Sequence, residues 1–135
     1  MPRQDDREAE RTLYLAVQQM RRELEKGDPE FALRILVEVI RQLSAADDLS
    51  EATQPPSMGS AKWDALITAA VRYACRISGQ ETPVWTQPKR LPAEWFPYDF
   101  RPLSEAWKDL SRRETPPEFA EVRISIRERS LHGAG

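Results

Sequence analysis

Few side chains in this sequence could carry chemistry. It holds a single His, His132, and a single Cys, Cys75. Imidazole is the side chain suited to moving protons near neutral pH. His132 has no second His and no Cys pair to complete a metal-ligand set, and Gly-Ala-Gly follows it, so it reads as an exposed tail residue. A Cys becomes a nucleophile when a neighbouring base or cation depresses its pKa. Cys75 falls inside an apolar helical pattern with no His nearby and reads as a small core residue. The carboxylates come in pairs: Asp5 and Asp6, Asp47 and Asp48, Glu118 and Glu121. General acid–base work needs two groups with separated pKa values facing one substrate, whereas these pairs stand at helix starts or in polar loops, where capping and solvation account for them. With five Gly the chain holds neither G-x-G-x-x-G nor G-x-x-x-x-G-K-[ST], so no phosphate-cradling loop is expected. The sequence predicts no catalytic residue, no cofactor and no metal, and we read the chain as non-enzymatic.

Arginines and aromatic rings remain. Arg72 and Arg76 are one turn apart on a predicted helix and offer a nucleic-acid face as the alternative reading. Acids are as abundant as bases, however, the net charge is −2 and the pI is near 5.5, and nucleic-acid binders usually carry a basic surplus. No pair of short helices with a Gly-centred turn marks a helix-turn-helix. Four Trp in 135 residues is a heavy load of the rings that anchor interfaces. Trp63 and Trp107 lie on apolar helix faces and read as core. Trp85, Trp95, Phe96 and Tyr98 lie in a proline-rich stretch and divide between core and partner contact.

The elements that must position these residues follow from periodicity. At 135 residues, 40% apolar and 31% charged, the chain makes one globular domain, 1–135. Leu13, Val17, Met20 and Leu24 recur at helical spacing and predict a helix from Asp6 to Lys26. Asp28 as cap and Pro29 at the first position open a second helix, to about Ala46, apolar enough to be the central element of the core. The short junction predicts antiparallel packing. Residues 47–59 read as a loop. Ser60 caps a third helix, to about Ser78. From 80 to 102 prolines alternate with Val84, Trp85, Leu91, Trp95, Phe96, Tyr98 and Phe100, predicting an irregular strap with one helical turn near Pro92–Trp95. Leu103 to Arg113 makes a short helix, and Thr115-Pro-Pro-Glu118 has the form of a capping box. Val122, Ile124 and Ile126 alternate with polar residues and predict a strand, with Val84–Thr86 as its internal partner. Residues 1–5 and 130–135 are expected to fray. The fold class is mainly α: a three-helix core, an aromatic strap and a small C-terminal helix-plus-strand appendage. The charged N-terminal segment lacks the apolar run of a secretory signal, nothing approaches a membrane span, and a lone Cys suits a reducing cytoplasm.

The run from Trp63 to Leu131 resembles the C-terminal region of bacterial, especially actinobacterial, Xre-type regulators. Its matching pieces are Trp63-Asp-Ala-Leu-Ile, Pro83-Val-Trp-Thr, Trp95-Phe-Pro, Thr115-Pro-Pro-Glu-Phe and Ile124-Ser-Ile-Arg-Glu-Arg-Ser-Leu131, with Gly27-Asp-Pro-Glu-Phe-Ala-Leu-Arg34 upstream. Such regulators resemble the antitoxin half of a two-gene module whose neighbour is a nucleotidyltransferase-like toxin. The resemblance implies a protein that binds and neutralises a cognate partner. The helix-turn-helix of such regulators is not found here, so DNA binding is not carried over. The expected binding face is the strap, with Trp85, Trp95, Phe96 and Tyr98, together with the strand edge of Val122, Ile124 and Ile126, used by β-augmentation. On this expectation alanine at Trp95 or Tyr98 weakens binding and leaves stability intact.

Overall fold

A computed structural model describes residues 4–133. Among these residues the architecture is mainly helical and contains no strand. The α-helices are α1 (Gln4–Glu25), α2 (Pro29–Ser44), α3 (Ala61–Ile77), α4 (Glu105–Glu114) and α5 (Pro117–Ala120), and a 3-10 helix spans Glu128–His132. None is long and apolar enough to cross a membrane.

The α1–α2 hairpin forms as its sequence dictates. Leu13, Val17 and Met20 are buried along one stripe of α1. Gly27, at φ 79°, turns the chain through the left-handed region that its missing Cβ permits, and the Asp28 N–H donates to the Glu23 carbonyl at 2.8 Å. Asp28 Oδ1 then accepts the Phe31 N–H at 3.0 Å, capping α2. Ser60 caps α3 in the same way.

As expected, α2 is the hub of the core, packing against α1, α3 and the 3-10 helix, while α3 is the more deeply buried of the two. In α3, Ala65, Ala69, Ala70 and Ala74 are buried beside Trp63, Leu66 and Tyr73, because short side chains let neighbouring backbones approach all round. By contrast α2 keeps Phe31, Arg34 and Glu38 at the surface.

Four local expectations are corrected. The segment Val122–Ile126 is no strand: it forms one parallel bridge, Ile124 with Trp95. Trp95 N–H donates to Arg123 O, and Ser125 N–H to Trp95 O, both at 2.9 Å. The ladder stops there because Pro92 and Pro97 lack donors and Arg123 turns through φ 68°. Val84–Thr86 is not the partner; it is a turn closed by Thr86 N–H on Pro83 O at 3.1 Å. Pro92–Trp95 makes a bend rather than a helical turn. Thr115 does not cap α5. Its hydroxyl donates to Ser111 O at 2.6 Å and accepts the Ile126 N–H at 2.9 Å, tying the end of α4 to the C-terminal segment, while Glu118 turns to Arg76.

The expected fraying is also revised. Gln4 and Asp5 are helical, and Ser130 and Leu131 are buried in the 3-10 helix. The remainder of those two segments, 1–3 and 134–135, lies outside the described residues.

Candidate functional site

The strap divides its rings between the interior and an outer groove. Trp95 is only 5% exposed and meets Trp63 edge-on, centroids 5.6 Å apart. Val122, Ile124 and Ile126 are buried in the same core. A partner cannot reach these four side chains without opening the domain, so the β-augmentation edge is not free: Trp95 itself occupies it. Trp85 is half-buried, and its Nε1–H donates to the Ala52 carbonyl at 2.8 Å, fastening the strap to the loop after α2. Phe96 is half-buried under two cations, with Lys108 Nζ 5.9 Å and the Arg112 guanidinium 5.3 Å from its centroid. Val84, at the tip of the turn, is 84% exposed.

Tyr98 lines an opening. With Phe100, Pro102, Leu103 and Trp107 it walls a groove of about 490 Å³, edged by Glu30, Arg101, Ser104 and Ser130. A second hollow of about 350 Å³ shares Glu30, Tyr98 and Ser130 and adds Arg34 and Val37. The walls are held from behind. Ser104 Oγ accepts the Trp107 N–H at 3.1 Å, starting α4 where Pro102 ends the strap. The Arg127 guanidinium lies 4.8 Å from the centre of the Trp107 ring, while its Nε–H donates to Glu114 at 2.5 Å. Of α4 only Ser111 is fully buried. Trp107, expected in the core, and Leu110 are only half-buried, which periodicity alone could not show: spacing marks a helix face as apolar but does not say how much packs onto it.

The arginine face is compensated. Arg72 pairs with Glu121. Arg76 donates to both Glu118 oxygens, at 2.6 and 3.1 Å, and this carboxylate raises its pKa further. The hollow beside them, about 600 Å³, also presents Glu81. Phosphates would therefore meet acids as well as bases there.

His132 is exposed, yet it has a partner. The buried Tyr73 hydroxyl lies 2.7 Å from His132 Nε2 and 2.6 Å from Glu128 Oε2. Its one proton goes to the carboxylate, so the imidazole Nε2–H donates to the phenol oxygen. Burial first, and then the bond to Glu128, push the Tyr73 pKa up. The cluster is a clasp between α3 and the 3-10 helix.

Cys75 is completely buried, and burial pushes its thiol up to about 11, with Asp48 adding to the effect. Since the thiolate is the reactive form, the native protein should resist an aromatic disulfide reagent at pH 8, and one thiol per chain should titrate rapidly once denaturant is added. Rapid labelling of the folded protein would contradict the burial.

The chain matches no protein-family model, no curated protein and no solved structure.

Proposed function

We propose that this chain is a non-enzymatic protein-binding module, antitoxin-like in the sense that it captures and neutralises a cognate protein. The observation that carries this reading is the groove of Tyr98, Phe100, Leu103 and Trp107. Aromatic and aliphatic side chains on a fixed wall, edged by Glu30 and Arg101, are the make-up of an interface anchor site: large rigid contact area in the centre and polar groups at the rim. The earlier resemblance supports the class of partner, a nucleotidyltransferase-like toxin.

The test is co-expression with the neighbouring gene product in the native host, followed by purification of the complex. Tyr98→Ala and Leu103→Asp should each lower the affinity at least tenfold, about 1.4 kcal/mol or more, while the thermal midpoint of Leu103→Asp stays close to that of the parent because Leu103 is only half-buried. Wild-type affinity in Leu103→Asp would remove the groove from the interface. The alternative, a nucleic-acid-binding regulator using Arg72 and Arg76, predicts instead a gel shift that falls steeply with salt.

A further inference from the structure

The two hollows that meet at Tyr98 share a wall: Glu30, Tyr98 and Ser130 line both. Together they make one trough, with Trp107 of α4 in one part and Arg34 and Val37 of α2 in the other. Among the described residues, the charged side chains lining it are Glu30, Arg34 and Arg101, one acid against two bases.

The way these three pair is unlike the other arginine contacts of the surface. Arg76 holds both oxygens of Glu118, at 2.6 and 3.1 Å. Arg112 holds both oxygens of Glu94, at 2.8, 3.0 and 3.2 Å. At the trough two guanidiniums divide one carboxylate. Arg34 Nη2 lies 3.4 Å from Glu30 Oε1, and Arg101 Nη2 lies 3.5 Å from Glu30 Oε2. Both arginine side chains are largely exposed, and contacts of that length between exposed groups are weak and readily exchanged. The guanidinium fork fits a carboxylate with two parallel bonds, and neither fork is filled that way here.

The same cations border apolar surface. The Arg101 guanidinium lies 5.9 Å from the centre of the Phe100 ring, and Arg34 lines its hollow beside Val37 and Tyr98. A polypeptide with an acid set among apolar side chains answers both features. Its apolar groups pack on Tyr98, Leu103 and Trp107, and its carboxylate takes up the unfilled fork. A basic segment would face two arginines and a glutamate already shared between them.

We propose that the trough takes a segment of the cognate protein in which acidic residues lie among apolar ones, the acid displacing Glu30 from Arg101 or Arg34. This rests on the reading of the groove as a partner-binding site and adds the chemistry of what enters it.

The test uses the full chain labelled with fluorotryptophan. Its four Trp report separately by fluorine NMR, Trp107 from the trough and Trp63, Trp85 and Trp95 from outside its lining. The probes are two N-acetylated, C-amidated pentapeptides, one alternating leucine with glutamate and the other carrying lysine in the glutamate positions. The glutamate peptide should move the Trp107 resonance and bind roughly tenfold more tightly than the lysine peptide. Arg101→Glu should abolish that preference. Glu30→Gln releases both guanidiniums and should tighten the glutamate peptide roughly threefold. An unchanged thermal midpoint in each variant shows that the fold is intact. Equal affinity for the two peptides, a preference for the lysine peptide, or a Trp107 resonance that neither peptide moves overturns the proposal.

Capture of the cognate protein is measured alongside with Leu103→Asp and Arg101→Glu. If Leu103→Asp weakens capture and Arg101→Glu does not, the groove remains an interface and the acidic segment is overturned. If Leu103→Asp captures normally, the partner-binding reading itself falls, whatever the peptides do.

Discussion

Trp95→Ala should lower the stability of the domain by about 3–5 kcal/mol, the usual cost of emptying a large aromatic site in a core. For a chain of this size that is a drop of roughly 10–20 °C in the thermal midpoint. The cost arises in two ways. The ring is nearly inaccessible and packs edge-on against Trp63, so its removal leaves a cavity that α3 cannot close without moving. The backbone of the same residue makes both hydrogen bonds of the bridge to Arg123 and Ser125, so loosening the ring also loosens the segment that carries Ile124. Differential scanning calorimetry measures the effect, and Trp95→Phe should recover part of it. A midpoint within a degree or two of the wild type would mean that the ring is not core.

The second large effect is expected near the chain end. Leu131→Ala should cost about 2–4 kcal/mol, as for other buried leucines, although the residue lies four positions from the C-terminus. Leu131 is fully buried, in a 3-10 helix whose neighbours Glu128 and His132 are both bonded to the Tyr73 hydroxyl. Chemical denaturation gives the value directly. An alanine variant as stable as its parent would show that the end of the chain is a tail after all.

These two sites also show how far the sequence could be read. The three long helices were legible because their signals are local: the stripe of Leu13, Val17 and Met20, the Asp28-Pro29 start, the Ser60 cap. Their ends fall within a few residues of expectation. The strap was legible as irregular, since proline at 92 and 97 denies the backbone both a helix and a ladder. What each ring does there was not legible. Trp95 and Tyr98 have the same local texture, and only the fold sends one inward and the other to a groove. The alternation of Val122, Ile124 and Ile126 picks out three buried side chains, but Ser125 and Arg127 are buried as well, and a strand also needs a partner of matching length, whereas Trp95 supplies a single pairing. His132 is exposed, as read, but its attachment was missed for a related reason. Its attachment to Tyr73 spans 59 positions, and no local pattern announces a contact of that range. Among the groove residues, Trp107 was read as core from its apolar face; that the face is only half-buried depends on how α4 lies.

The clasp of Tyr73 by Glu128 and His132 has a consequence for how the molecule opens. It joins positions 59 residues apart, so the middle of α3 is sealed by a segment remote from it in the chain. The 3-10 helix cannot lift away without stripping the phenol of both partners and baring the apolar surface around Leu131. Loosening of the two segments is therefore one event, and a disturbance at either is felt at the other.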